Sequence, residues 1–166
     1  MSINFRTTHL FLAAIAVLGV AMVESAHSAV RAAAGRSDTQ ETQKKADSSR
    51  SVWDGVYTDV QARRGAPLYS ASCASCHGPD LTGGEMAPAL AGGDFMSNWN
   101  GLTLGDLFER MRVSMPQNDP GSLSRQQNAD ILAHMLSSNK FPSGTTELAR
   151  ETEVLNQIRF LALKPQ

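Results

Sequence analysis

Three stretches of the chain have the patterning of helices, and no stretch shows the convincing apolar–polar alternation of a strand. The first stretch, 59–72, places Gly65 and Tyr69 four residues apart, on one face of the helix. Pro67 lies inside this stretch. Because proline removes a backbone donor, it predicts either a kink or a helix start at that point. Together the three stretches predict an all-α domain.

The other two helices each begin at a capping box, in which a Ser or Thr side chain and a polar side chain three residues later bond each other's backbone. We expect these helices over 104–113 and 125–138. The capping pairs are Thr103 with Asp106 and Ser124 with Gln127. The apolar faces consist of Leu104, Leu107, Phe108 and Met111 in one helix, and of Ile131, Leu132, Met135 and Leu136 in the other. This spacing is typical of core-facing side chains.

Residues 1–29 have the three-part pattern of a secretory signal. Arg6 gives a positive start, Leu10–Val23 is an apolar run, and small residues follow. The run is shorter than the roughly 17–25 apolar residues of a membrane-spanning helix. We therefore expect cleavage after Ser28 or Ala29 and export, which in a bacterium means the periplasm. An uncleaved anchor is the alternative.

The rest of the chain divides into three segments. Residues 30–51 are polar without apolar periodicity, which predicts a disordered linker. Residues 52–142 are the predicted folded domain. Residues 143–166 are the predicted helical tail, because its apolar residues recur at near-helical spacing and are expected to pack over the domain. Those residues are Leu148, Leu155 and Ile158.

Charge and composition narrow the possible partners. The chain has 166 residues and a formal net charge of −1, from 15 Lys and Arg against 16 Asp and Glu. A protein that binds nucleic acid usually carries a basic excess, so no nucleic-acid partner is expected. Aromatic residues make up only 6% of the chain, which is thin for a self-sufficient core. Something other than aromatic side chains is therefore expected to help fill the interior.

The segment Cys73-Ala74-Ser75-Cys76-His77 is a C-x-x-C-H sequence, the attachment pattern of c-type haem. Its two thiols lie about one helical turn apart and can add to the two vinyl groups of one haem. His77 then places an imidazole beneath the iron. We predict one haem c bound covalently by Cys73 and Cys76. The long Gly- and Pro-rich loop at 78–100 would wrap this cofactor, which supplies the missing apolar core.

Three other uses of the cysteines fit the sequence less well. A disulfide between them would close a very short loop and stabilise little. A thioredoxin-like redox site needs a βαβ context that the patterning lacks. A zinc site usually takes four protein ligands. Beyond the signal, the Cys and His residues are Cys73, Cys76, His77 and His134, without a second closely spaced pair.

A haem that transfers electrons normally has a second axial ligand, and methionine is the common soft one. Met115 is our candidate, because it follows a helix and opens a loop that two prolines and a glycine hold extended. The alternatives left open are Met86, Met96, Met111 and, as the histidine candidate, His134. For Met111 and His134, packing on a helix face is the simpler explanation.

The order of these features resembles a class I c-type cytochrome over most of residues 52–166. The attachment motif is followed by Ala87-Pro88-Ala89-Leu90, then by Met115-Pro116 and the terminal helix. More narrowly, the chain resembles the small monohaem cytochromes of the quinoprotein alcohol dehydrogenase type. That likeness is carried by 52–58 (VWDGVYT), 61–65 (QARRG), 103–110 (TLGDLFER) and 157–165 (QIRFLALKP).

The resemblance implies a cytochrome c fold, with helices and long loops wrapped around one covalent haem. It implies that His77 is the proximal iron ligand and Met115 the distal one. The carbonyl of Pro88 would accept a hydrogen bond from the unligated nitrogen of His77 and so orient it. The expected walls of the haem pocket are Leu90, Trp99 and Phe108.

The resemblance also implies a helix crossing. Gly65 and Tyr69 would pack against the terminal helix near Leu132 and Met135. His134 departs from the family pattern, in which an aromatic residue such as tyrosine is expected. It puts the packing at the crossing in doubt and leaves a pH-dependent group near the cofactor.

The function we expect is that of an exported one-electron carrier and not of an enzyme, because His/Met ligation leaves no open iron position. The resemblance suggests an exported dehydrogenase, of the quinoprotein type, as electron donor and a terminal oxidase as acceptor. We expect a periplasmic monomer, without a permanent membrane anchor, that forms transient complexes. The expected exposed haem edge is flanked by Ala74, Ser75, Thr82 and Pro116.

Two other functions fit the same motifs. The chain could be a haem subunit fixed in a larger oxidoreductase, docked through residues 52–57 and 147–165. It could instead be a ligand sensor or enzyme in which a labile methionine opens the iron to a small ligand such as carbon monoxide. Stable co-purification and ligand binding, respectively, distinguish these from the carrier.

Overall fold

The computed structural model describes residues 50–166. The predicted signal at 1–29 and most of the predicted linker, 30–49, lie outside the described residues. The elements, in chain order, are β1 (Arg50–Ser51), α1 (Asp59–Ser72), α2 (Ala74–His77), α3 (Gly93–Trp99), α4 (Leu104–Ser114), α5 (Arg125–Ser138), α6 (Thr152–Leu155) and β2 (Ile158–Arg159). The described part is thus mostly helical, as predicted. No helix within it is long and apolar enough to cross a membrane.

Helix α1 has the predicted bounds. Its first turn is capped by Thr58, whose hydroxyl accepts a hydrogen bond from the Gln61 N–H at 3.1 Å. Pro67 lies within the helix, which does not start there, so that part of the prediction is wrong. Pro67 and Arg63, the residue whose carbonyl loses its helical partner, are both exposed. Water can therefore bond the freed carbonyl, and the helix continues.

Helices α1 and α5 form the main packing contact of the domain. A Cβ on Gly65 would overlap the carbonyl oxygen of Asp130, so the two backbones touch at a point where only glycine fits. Tyr69, one turn further along α1, is buried, and its ring centroid lies 5.5 Å from that of His134. The crossing implied by the resemblance is present, beside the expected positions 132 and 135.

Both predicted capping boxes are confirmed. Thr103 caps α4 and Ser124 caps α5, each in reciprocal hydrogen bonds with the residue three positions later. The apolar faces that follow are buried as predicted, apart from Met111, which is half-buried. These helices are fixed by local hydrogen bonds and a single apolar stripe, which is why the sequence predicts their bounds well.

Helix α3 corrects the prediction of one long loop over 78–100. The chain forms a two-turn helix over Gly93–Trp99. Phe95 is buried and Trp99, four residues on, is half-buried, so both lie on the inward face. The helix has no side-chain cap, since its N-cap residue is Gly92.

The two ends of the described chain meet in a small sheet. Strand β1 pairs in parallel with β2, with Arg50 opposite Ile158 and Ser51 opposite Arg159. The sheet therefore includes Arg50 and Ser51, the two residues before the predicted domain boundary at Val52. Backbone pairing holds these polar residues in place although their composition predicted a linker.

The tail also differs from the prediction of a helical segment. Only the single turn of α6 is helical, and Ile158–Arg159 is a strand. Leu148, Leu155 and Ile158, the tail residues expected to pack over the domain, are nevertheless buried, whereas Val154 and Leu163 are exposed. Gln61 explains part of this path, because its side-chain amide donates to Leu148 O at 3.0 Å and accepts from Leu148 N–H at 2.6 Å. That paired contact favours extended backbone over a helix there.

Aromatic rings are concentrated beneath the meeting point of the two ends. Trp53 lies 4.8 Å from Phe141, centroid to centroid, and its indole N–H donates to Leu161 O at 2.9 Å. Phe160 lies 5.3 Å from Phe141 and 5.6 Å from Phe95, both edge to face. Trp53, Phe95, Phe141 and Phe160 thus form one aromatic cluster, whereas Tyr69 packs separately beside His134.

Candidate functional site

The two cysteines lie on one helical turn that directly follows α1. The N–H groups of Cys76 and His77 both donate to the Cys73 carbonyl, at 3.1 and 3.0 Å. Cys73 is half-buried and Cys76 is exposed, and both are free thiols. Burial, with the nearby Cys76, raises the pKa of Cys73 to about 11. Cys73 begins this turn, and Cys76 and His77 lie at its end, as the attachment motif requires.

His77 is oriented by a main-chain carbonyl. Its Nδ1 lies 2.7 Å from the carbonyl oxygen of Pro88, and the residue is 8% exposed. With the proton on Nδ1, that nitrogen donates to Pro88 O and Nε2 keeps its lone pair free. This is the usual arrangement of a metal-binding histidine, in which the second ring nitrogen fixes tautomer and ring orientation. The geometry is the one that the resemblance implied for this pair.

Tyr69 ties α1 to the attachment turn. Its hydroxyl donates to the Gly78 carbonyl at 2.7 Å. Burial is the main cause that raises the pKa of Tyr69 to about 12, and the charges of Cys73 and Asp80 act in the same direction. The hydroxyl therefore stays protonated at neutral pH. It remains a hydrogen-bond donor to the carbonyl of Gly78, the residue that follows His77.

Several apolar side chains at the attachment turn, and in the segments that follow it along the chain, are only half covered by protein. They pack against the buried core on one side and keep accessible surface on the other. The group contains Cys73, Leu90, Met96, Trp99 and Met111. A flat apolar cofactor fits such an arrangement, because it would cover surface that the chain alone leaves to water. The thiols, the imidazole and this apolar lining together fit haem c.

Phe108 does not belong to this lining. It was expected to wall the haem pocket, yet it is 0% exposed and offers no free surface to a cofactor. Its ring lies within the core, with the Arg125 guanidinium carbon 5.9 Å from the ring centroid. Leu90 and Trp99, the other two expected walls, are both half-buried.

The methionines differ in how they are placed. Met115 caps the C-terminus of α4, with its N–H donating to Met111 O at 2.9 Å, and its side chain is half-buried. The loop that follows is closed by turns in which Asp119 N–H donates to Pro116 O and Ser122 N–H to Asp119 O. Met86 is 81% exposed, so its sulfur lies at the surface and not in the pocket lining.

His134 lies beside the crossing of α1 and α5. Its ring centroid lies 5.5 Å from that of Tyr69, whose hydroxyl is bonded to the residue after His77. His134 faces a groove of about 340 Å³ lined by Asp59, Ala62, Arg63, Ala66, His134 and Ser137. Burial lowers the pKa of His134.

The residues expected at the cofactor edge are accessible. Ser75 and Thr82 are exposed, and Ala74 and Pro116 are half-buried. Within residues 50–166, no group of three or more His, Cys, Asp or Glu side chains is placed to hold a metal ion.

Asn139 holds the loop at Leu90 and Gly92 in place. From the sequence it was expected only to end a helix. Its Nδ2 donates to Leu90 O at 3.0 Å, and its Oδ1 accepts from Gly92 N–H at 3.0 Å. One side chain at the end of α5 thereby holds the pocket loop at both Leu90 and Gly92. Its position after a helix and before a proline gave no signal of this role.

Comparison with known proteins adds a family match. Residues 60–135 match the family described as "Cytochrome C oxidase, cbb3-type, subunit III". A similar solved structure is the sulfane dehydrogenase SoxCD from Paracoccus pantotrophus, at 23% identity and a TM-score of 0.46. That alignment covers 65% of this chain and 61% of the other. No curated protein matches the sequence. The family match includes both cysteines, His77, Pro88 and Met115.

Proposed function

We propose that this chain, in which residues 60–135 form an all-α cytochrome c domain with covalently attached haem c, is an exported one-electron carrier. The observation that supports it most directly is the 2.7 Å contact between His77 Nδ1 and Pro88 O. It leaves Nε2 of His77 free to bind the iron from one side. Met115 then supplies the thioether on the other side.

The chain's own residues hold and shield the group. Haem, when bound, supplies reversible one-electron chemistry. Cys73 and Cys76 anchor it, Pro88 orients its imidazole ligand, and half-buried apolar side chains exclude water from it. With His77 and Met115 as its protein ligands, the iron would offer no open site to a substrate, and Met/His ligation would favour a raised potential.

The proposed partners are an electron-donating dehydrogenase, of the quinoprotein type, and a terminal oxidase. Contact at the accessible edge near Ser75 and Thr82 suits a transient redox complex, which buries less than about 1,200 Å². Export rests on the signal pattern of residues 1–29, and it places the carrier in the periplasm, without a permanent membrane anchor.

A second candidate function is a haem subunit of a larger oxidoreductase. The description of the matched family, which names an oxidase subunit, favours it. In the docking segments expected for such a subunit, Val52, Val56, Tyr57, Leu155 and Ile158 are buried within this chain, whereas Val154 and Leu163 are exposed. Docking through these segments stays a prediction. Stable co-purification with another protein would favour this second candidate.

Two methionine variants test the carrier proposal. We expect the oxidised wild type to show the sulfur-to-iron charge-transfer band of His/Met ligation. Met115→Ala should lose that band and, once reduced, bind carbon monoxide. Met111→Ala is the matched control, because it removes a thioether one helical turn away, and it should keep the band.

The opposite result would assign the distal ligand to Met111. If neither variant loses the band, another methionine supplies the thioether. If the wild type itself lacks the band, the iron does not have His/Met ligation. Rapid binding of carbon monoxide by the reduced wild type would favour the ligand sensor or enzyme over the carrier.

A further inference from the structure

The loop between His77 and Pro88 is held by hydrogen bonds to its own backbone. Gly83 N–H donates to His77 O at 2.9 Å, and Gly84 N–H donates to Ala87 O at 2.9 Å. The loop thus doubles back and brings Pro88 under the imidazole, eleven residues after His77. Three of its residues have positive φ: Gly78 at +78°, Leu81 at +60° and Gly83 at +76°.

Gly83 touches both ends of the His77–Pro88 contact. Its N–H is bonded to the His77 carbonyl. A Cβ on Gly83 would lie 2.5 Å from Ala89 N and 2.8 Å from the Pro88 carbonyl carbon. Those two atoms belong to the peptide group whose oxygen accepts from His77. The Cα of Gly83 therefore packs against this peptide group so closely that no side chain fits.

Leu81 holds the two peptide groups that directly follow this one. Its carbonyl accepts from Leu90 N–H at 2.8 Å and from Ala91 N–H at 3.1 Å, and its side chain is 3% exposed in the core. Left-handed backbone is unfavourable for leucine and persists only where surrounding contacts over-determine it. Here a buried side chain and two hydrogen bonds to one carbonyl meet that condition.

We propose that Gly83 is a positioning residue, supported by Leu81, that sets the strength of the His77–Pro88 hydrogen bond and thereby the reduction potential of the haem iron. A hydrogen bond from the unligated nitrogen makes the imidazole a stronger donor to the metal. A stronger donor stabilises the ferric state. Displacing the Pro88 peptide weakens the bond and raises the potential. The inference needs covalent haem but not the carrier role, so either can fail alone.

The test compares Gly83→Ala with Gly84→Ala in the full chain, matured with haem. The control adds the same methyl group one residue away, where the nearest atom is Cys76 O at 3.7 Å. We expect Gly83→Ala to shift the equilibrium with a reference couple about tenfold toward the reduced state, which for one electron is about 59 mV. The Nδ1 proton of His77 should also exchange faster with solvent. Gly84→Ala should change neither quantity.

A purely structural role for Gly83 predicts something else. The midpoint of thermal unfolding would fall while the potential and the proton exchange stay at their wild-type values, and that result would overturn the proposal. Equal shifts in both alanine variants would overturn it as well.

If Gly83→Ala does not acquire haem, two variants of Leu81 test the proposal instead. Leu81→Val keeps an apolar side chain but disfavours left-handed backbone, whereas Leu81→Gly adopts it freely and loses the side chain. We expect the potential to rise in Leu81→Val and to stay near wild type in Leu81→Gly. The reverse order would mean that side-chain packing, not loop conformation, governs the site, and it would overturn the proposal.

Discussion

The two sides of this domain are closed in different ways. At the crossing of α1 and α5, protein packs directly on protein: Gly65 lies against the Asp130 carbonyl, and Tyr69 is buried beside His134. On the attachment side, Leu90, Trp99 and their neighbours are only half covered. The first side is complete from the chain alone, whereas the second keeps apolar surface for a cofactor.

This difference explains how a chain with so few aromatic residues folds. Three of its aromatic rings, those of Trp53, Phe141 and Phe160, pack edge to face near the β1–β2 sheet. The attachment side uses backbone hydrogen bonds within the loop to hold its shape, and haem c supplies the apolar bulk. The two sides should therefore respond differently to loss of the cofactor and to side-chain substitution.

The largest effect should follow from removing both attachment thiols. The double variant Cys73→Ala/Cys76→Ala should lose covalent haem completely, as measured by the mass of the intact protein. Amide hydrogen exchange should then show protection lost over residues 78–99, because that side depends on the cofactor for its core. Protection in α1 and α5 should largely survive. Ser75→Ala, between the two cysteines, is the control and should keep the haem. Equal loss of protection on both sides would contradict the comparison.

A methyl group at the helix crossing should give the next largest effect. Gly65→Ala forces α1 away from α5, because the new Cβ would overlap the Asp130 carbonyl. We expect the free energy of unfolding to fall by about 3 kcal/mol, the upper end of overpacking effects, as measured by denaturant titration of the holoprotein. Gly93→Ala has open space around the new methyl group and should stay within about 0.5 kcal/mol of wild type. A similar cost for both variants would refute the close crossing.

Protonation of Asp130 should lower the free energy of unfolding at acid pH. Burial alone would raise the pKa of its carboxyl group, but hydrogen bonds from Arg64, at 2.7 and 2.8 Å, and from Gln126 lower it overall. Its side chain is 4% exposed. Because the folded pKa lies below the unfolded value of about 3.9, this stabilisation is present above that pH and is lost as pH falls further.

The matched variants are Asp130→Asn and Glu147→Gln, since both carboxylates bond Arg64. At neutral pH we expect Asp130→Asn to lower the free energy of unfolding by about 1.5–3 kcal/mol. The exposed Glu147 should contribute at most about 1 kcal/mol. Denaturant titrations between pH 7 and pH 2 measure both. If the acid loss of stability persists unchanged in Asp130→Asn, other carboxylates cause it.

Substitution of His134 should give the smallest change in stability. That change should appear at a milder pH than the change expected for Asp130. Burial lowers the pKa of His134 below its ordinary value of 6.5, so its neutral form is favoured in the folded state. Its contribution is complete above about pH 6.5 and declines as pH falls toward the folded pKa. His134→Phe should remove this decline between pH 7 and pH 5 in thermal unfolding scans. A decline that is the same in both proteins would show that His134 is not its source.

The parts of the fold that the sequence predicts well are those set by local chemistry. The two capping boxes gave the starts of α4 and α5 because Thr103 and Ser124 bond residues only three positions away. Helix α3 escaped prediction because Gly92 offers no capping side chain. The pairing of Arg50 with Ile158 joins opposite ends of the domain, and no local pattern reports such a contact.

The candidate site divides in the same way. The attachment motif is contiguous and specifies its own chemistry, and the family resemblance pointed to Pro88 as the partner of His77. Leu81, Gly83 and Asn139 were missed, because their roles depend on the sign of φ or on distant carbonyls. Phe108 was misplaced, since an aromatic residue on a helix stripe fits a core as well as a pocket wall.

A redox titration of the purified holoprotein, with and without carbon monoxide, tests the central claim most directly. The account predicts one reversible one-electron transition per chain at the same potential under both conditions, because an iron ligated by His77 and by the proposed ligand Met115 would have no open position. Carbon monoxide binds the reduced iron wherever a position is open, and it then raises the apparent potential. A potential that rises under carbon monoxide would contradict the carrier and favour a ligand-binding site.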